Sequence, residues 1–381
     1  MAFLTACGPL TPPQQDAGTT TGGGGAATGG GATTGGGAAT GGGAATGGGA
    51  ATGGGAATGG GAATGGGAAT GGGAATGGGG GTPQPFTWAS ISLGGVTGSG
   101  PIISISGTPT DLYALQDNGN LYHSTGGAFS LVTTFSGGVK DMHVEGSLIV
   151  ILRYRAILYC SSNCTNTAAF TSIDLVSLGL DAEAACGLDG THLAVIVSDT
   201  NSMGQLYEWN GTSFLRTNTS LGIRYPRHCW YEPSGAINIA GENKVIFSDQ
   251  GAATPQTLIP SGNSVTFFGG FSIDGVAWAV GGSGNVQRRN GSTWTAMTTT
   301  TTNTMFTVGG PSVDEIYVFG LFSATYGNGY KWNGTTLAAT GDILPNGGQQ
   351  SVFQSMLVTG ANEIYVGGQN TSGPVIARGR R

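Results

Sequence analysis

The chain has 381 residues, of which 77 are glycine, and only 8% are Asp, Glu, Lys or Arg, far below the roughly 25% usual in soluble domains. A formal net charge of −6 repels phosphate backbones and argues against a nucleic-acid partner. No stretch approaches the roughly 18 consecutive apolar residues of a membrane helix, so the chain is not expected to span a bilayer by itself.

Residues 1–20 carry Leu4-Thr5-Ala6-Cys7-Gly8, followed by Pro9, Pro12 and Pro13. This pentapeptide resembles the lipobox of bacterial lipoproteins, in which a signal peptidase cuts before the cysteine and the thiol is acylated. The resemblance implies Cys7 as the lipidation site, a lipid-held membrane attachment, and the cell envelope as the compartment. Gly8, where an Asp would mark inner-membrane retention, favours the outer membrane, with the domain periplasmic or surface-exposed. Only six residues precede Cys7, too few for a signal peptide's basic and apolar regions, which fits a start codon assigned too late. The alternative is a chance match in a short cytosolic tail.

Residues 21–82 repeat Thr-Gly-Gly-Gly-Ala-Ala with a period of six. With no apolar side chain larger than Ala, the tract cannot offset its ordering entropy. It reads as a disordered Gly-rich tether spanning about 45 Å as a flexible coil. A polyproline-II-like bundle also fits the period, but it needs neighbouring copies. A phosphate-binding loop needs a preceding strand and a following helix, and neither is predicted.

From residue 83 to 381 one theme of about 40 residues recurs, the signature of an all-β propeller. Second strands centre on Leu112, Leu148, Leu193, Ile237, Val276, Ile316 and Ile364, and third strands on Leu121, Leu158, Leu206, Val245, Val286, Tyr330 and Val375. Continuous apolar runs such as Ala277-Trp278-Ala279-Val280 suit strands covered on both faces. Asn210-Gly211, Asn290-Gly291 and Asn333-Gly334 predict type I′ hairpins. Fourth strands centre on Phe129, Phe170, Phe214, Leu258, Trp294 and Leu337, one short of seven. Phe86-Thr87-Trp88-Ala89-Ser90 matches the pattern around Trp294, so the N-terminal strand is expected to close the last of seven blades and remove the free edges. On Glu363-Ile364-Tyr365-Val366-Gly367-Gly368 and the spacing from Gly281-Gly282 to Trp294, the domain resembles kelch-type and WD-type propellers.

Four cysteines follow Cys7. Cys160 and Cys164 flank a short turn where a local disulfide is easy. Cys186 and Cys229, about one repeat apart, fall on inner strands of neighbouring blades and read either as an inter-blade disulfide or as two buried thiols. No Cys-x-x-Cys or paired His suggests a metal site, and no cofactor is expected. Charge concentrates between Lys140 and Lys244. His143, Glu145, Arg153, Arg155, Glu183, Arg224, Arg227 and His228 fall at similar levels of blades two to four and are the binding candidates. Inner propeller strands carry polar residues toward a wet channel in any case. No nucleophile with a positioned base, and no working carboxylate pair, stands out.

These features predict a monomeric, membrane-anchored, non-enzymatic lipoprotein that binds a protein or a glycan through its propeller. The alternatives are a hydrolase or lyase acting on envelope polysaccharide near Arg153, Arg155, Glu183 and Arg227, and a structural scaffold in an envelope assembly.

Overall fold

The computed structural model describes residues 84–95, 98–249, 252–257, 265–322, 329–340 and 351–381, with backbone alone at strand residues 244, 246–249, 252–257, 322 and 351. Cys7, the Gly/Ala/Thr tract and Leu258 lie outside the described residues. The unit Pro85–Arg381 is an all-β propeller of strands and turns, with two three-residue 3-10 turns among the described residues.

Each blade is an antiparallel meander running outward from an inner strand. The inner strands are Ile102–Thr108, Val139–Glu145, Asp181–Asp189, His228–Tyr231, Phe267–Ile273, Met305–Ser312 and Ser351–Gly360. They contact one another in chain order, and Ser351–Gly360 contacts Ile102–Thr108 to complete the circle. The last meander has only Glu363–Asn370 and Gly373–Arg380 after its inner strand, and Thr87–Ile91 supplies its outer strand. The register runs from Thr87 opposite Arg380 to Ile91 opposite Ile376. Both chain ends of the unit are thereby tied into one sheet, which closes the ring.

The apolar periodicity is satisfied between blades. Leu115, Leu121, Met142 and Ile151 cluster between blades one and two. Val150, Leu152, Val195 and Val197 do so between two and three. Trp278, Val318, Tyr330 and Phe353 join blades five, six and seven. Val276–Gly281 is buried at every position, which explains its unbroken apolar run.

Several local expectations need correction. Asn210, Asn290 and Asn333 do not take positive φ; the glycines after them do, so none of the three is a type I′ turn. Asn290 pairs with Thr293 across a two-residue loop with Gly291 at φ 61° and Ser292 outside the positive-φ set, the type II′ arrangement. Asn210 and Asn333 begin four-residue loops, where the Asn210 side-chain oxygen accepts from the Thr212 and Ser213 amides and that of Asn333 from the Thr335 and Thr336 amides. The fourth strand of blade two begins at Thr171, after Phe170, and that of blade four is Ala252–Thr257, which ends before Leu258.

Both cysteine pairs are disulfides. Cys160–Cys164 closes a local turn with Cα atoms 5.8 Å apart. Cys186–Cys229, with Cα atoms 5.7 Å apart, joins the inner strands of blades three and four. Other inner strands are tied by hydrogen bonds. Ser104 donates to the Met142 carbonyl between blades one and two, and Trp230 Nε1 donates to Ser272 Oγ between four and five.

Candidate functional site

The inner strands enclose an axial cavity of about 730 Å³ to which all seven contribute lining residues. Its shape follows from a backbone irregularity repeated around the ring. In six of the seven inner strands the register with the second strand slips by one residue near the start, between Ile102 and Ser104, Val139 and Asp141, Ala182 and Ala184, Phe267 and Gly269, Met305 and Thr307, and Phe353 and Ser355. In blade four, His228 pairs with Ala240 while the Arg227 amide also donates to the Ala240 carbonyl, 2.8 Å away, which sets two residues against one there as well. A bulge re-aims the extra side chain. Here the residue before each bulge is buried (Ile102, Val139, Ala182, Pro226, Phe267, Met305, Phe353), whereas the bulged residue is half-buried and lines the cavity.

The bulged residues, in order around the axis, are Ile103, Lys140, Glu183, Arg227, Phe268, Phe306 and Gln354. This ring has two faces. On one, Arg227 Nη1 lies 2.7 Å and Lys140 Nζ 3.6 Å from Glu183 Oε2, and Ser198 Oγ donates to Glu183 Oε1 at 2.8 Å. Lys140 Nζ also sits 4.4 Å over the Tyr154 ring. On the other, Phe268 and Phe306 meet edge to face with centroids 5.5 Å apart. The bulge also explains glycines such as Gly281 and Gly368 opposite it. The carbonyls of Thr266 and Val352 occupy the space their Cβ atoms would need.

Farther along the wall, Asp141 accepts from the Met142 and Ala185 amides at 2.8 and 2.9 Å and so clasps blade two to blade three. Burial pushes its pKa up to about 6, against the pull of those amides, Ser104 and His143. His143 Nε2 lies 3.6 Å from Glu145 Oε2 and has no hydrogen-bond partner among the described residues. The surrounding protein desolvates His228 and lowers its pKa to about 4, although its Nε2 lies 3.2 Å from the Gly270 carbonyl.

The structure therefore brings His143, Glu183, Arg227 and His228 to one cavity. The other four candidates lie off its wall. Glu145 ends its inner strand beside His143. Arg153 ends the second strand of blade two with its guanidinium against Gly137. Arg155, on the following turn, is an exposed partner of Asp181 at 3.1 Å. Arg224 lies 3.8 Å from Glu242 and over the Tyr225 ring. Like charge at a similar level of the repeat did not separate residues on inner strands from residues on turns. Ile103, Phe268, Phe306 and Gln354 went unrecognised because Phe267-Phe268-Gly269-Gly270 reads as core strand. The available signal was a buried anchor, a variable residue and a small or polar residue, stepping by about 40.

The ring can grip a ligand with apolar and charged parts. Glu183 is held by two cations and a hydroxyl, and Asp141 accepts from two backbone amides.

No protein-family model and no curated protein matches this sequence. Solved structures do resemble its fold. YCF48 bound to D1 peptide superposes with a TM-score of 0.59 at 14% identity, covering 77% of this chain and 97% of that one. YCF48 from Cyanidioschyzon merolae gives a TM-score of 0.56 at 12% identity over 76% and 98%. The WD40 β-propeller domain of Doa1 gives 0.55 at 10% over 76% and 95%. At these identities the likeness is one of fold.

Proposed function

We propose that the chain is a non-catalytic binding module whose propeller takes a segment of a partner protein into its axial cavity. The observation that carries this reading is the two-sided ring of bulged residues around about 730 Å³, a volume within the usual range of ligand sites. A structural relative described as bound to a peptide, and another that is a WD40 domain, support a peptide over a glycan. In the same reading Cys7 is acylated and residues 21–82 tether the propeller to the envelope, in the outer membrane. The support for that attachment is Leu4-Thr5-Ala6-Cys7-Gly8 and the Gly-rich tract behind it.

Peptide and glycan arrays probed with the full-length chain test the binding reading, with Gln354→Trp as the cavity-filling control. Peptide spots that disappear with Gln354→Trp are the expected outcome; glycan-only binding, or binding unaffected by the plug, overturns it. Radiolabelled palmitate tests the attachment. Expressed from its gene with the upstream region included, the wild-type chain should be labelled and Cys7→Ser not, and a wild-type chain that stays unlabelled there removes the anchor.

A further inference from the structure

The bulged ring also specifies the chemistry of its guest. On its charged arc two cations, Lys140 and Arg227, share one carboxylate, Glu183. Among the bulged residues this arc sets two positive charges against one negative, and the other carboxylate on the wall, Asp141, is turned to the Met142 and Ala185 amides. Among the described residues, the only side-chain partner of the Arg227 guanidinium is Glu183. A guanidinium has five N–H donors in a fixed fork, so most of this one remains available to an incoming acceptor. The side chain is one-third exposed, enough to be reached from the cavity. Next in the ring after Arg227 stand Phe268 and Phe306, also half-buried and opening onto the same space.

We infer that the ring selects a peptide segment in which a carboxylate neighbours an aromatic or large aliphatic side chain. The apolar side chain packs on Phe268 and Phe306 while the carboxylate bridges Arg227 and Lys140. Charge complementarity in a partly desolvated cavity supplies the selectivity. Glu183 holds the two cations in place and competes with the guest carboxylate for them. The inference rests on the cavity being a binding site. The carboxylate comes from an acidic side chain or from the peptide's own C-terminus, and both are tested.

Three fluorescent peptides titrated into the full-length chain decide the matter. One is capped and carries Glu beside Phe; a second carries Gln in place of that Glu; a third ends in Phe with a free carboxylate. The Glu peptide should bind at least about tenfold more tightly than the Gln peptide, the usual scale of a charge-assisted hydrogen bond. Arg227→Gln should remove that preference and leave the Gln peptide unchanged. Glu183→Gln should strengthen the Glu peptide by several-fold, because the guest no longer competes for the cations. Phe306→Ala should weaken both. Tight binding of the third peptide assigns the carboxylate to a chain terminus; binding of the Glu peptide alone assigns it to a side chain. Thermal unfolding of each variant, with a midpoint near that of the wild type, keeps folding out of the comparison. Equal binding of the Glu and Gln peptides, or loss of binding in Glu183→Gln, overturns the inference and leaves the cavity as a peptide site. Failure of all three peptides together with blank peptide arrays overturns the site itself.

Discussion

Removing the Cys186–Cys229 disulfide measures how much the axial wall depends on a covalent clasp between blades. The bridge spans a sequence separation of 43. Constraining a loop of that length in the unfolded chain corresponds to about 4 kcal/mol, against about 2 kcal/mol for a four-residue separation. The latter is the separation of Cys160–Cys164. The double variant Cys186→Ala/Cys229→Ala should therefore lose about twice the unfolding free energy lost by Cys160→Ala/Cys164→Ala. Both cysteines of the long bridge are buried, at 5% and 2% exposure, so the variant also leaves a small void that adds to the loss. Urea titrations followed by tryptophan fluorescence, extrapolated linearly to water, supply both numbers. Equal losses, or a larger loss from the short bridge, would refute the argument that loop length governs these clasps.

Other consequences follow from the same contacts. The folded state holds a proton on Asp141 up to about pH 6, above the unfolded carboxylate, so this group costs stability as pH rises from 4 to 6. His228, with its pKa lowered to about 4, is protonated first in the unfolded chain and adds stability over that rise. The two oppose each other. Relative to wild type, Asp141→Asn should gain stability as pH rises from 4.5 to 6 and His228→Gln should lose it, read from urea midpoints; slopes of the same sign would contradict the assignment. At the ring closure, Arg381 Nη1 and Lys331 Nζ each lie 2.7 Å from a Glu315 oxygen, and the Arg381 and Glu315 side chains are over nine-tenths buried. Arg381→Ala should cost about 3 kcal/mol by leaving Glu315 half-paired, and calorimetry that finds no loss would contradict it. A methyl group at Gly270 would run into the Trp230 ring, so Gly270→Ala should shift Trp230 fluorescence and lower the unfolding midpoint by several degrees.

The propeller was legible because its physics repeats. Apolar runs about 40 residues apart, Gly before turns, and a Trp88 segment matching Trp294 each report a strand that must be covered on two faces. The pairing of Thr87–Ile91 with Gly373–Arg380 follows from them. The turn type did not follow from Asn-Gly alone, because loop length decides which residue takes positive φ. At Asn210 a four-residue loop leaves Asn to cap the turn with its side chain. The ring was harder to read. A bulge adds one residue to a strand and alters no composition, so Phe306 and Lys140 look like unrelated residues until the registers are laid side by side. Charge clustering pointed to blades two to four, and four of its eight residues, His143, Glu183, Arg227 and His228, line the cavity. It could not reveal that the adjoining wall is aromatic, nor that Arg155 and Arg224 lie off the cavity beside Asp181 and Glu242.

The central claim is that the axial cavity is where a partner segment sits. Trp230 lines that cavity, whereas Trp88 packs against Tyr317 and Phe319 and Trp209 against Tyr159 and Phe214. Fluorine NMR of the full-length chain labelled with 5-fluorotryptophan, titrated with a peptide selected from the array, reports these positions separately. The account predicts that the Trp230 resonance moves with the binding isotherm while those of Trp88 and Trp209 hold still. Movement at Trp88 or Trp209 with Trp230 unchanged would place the partner on the outside of the propeller and contradict it.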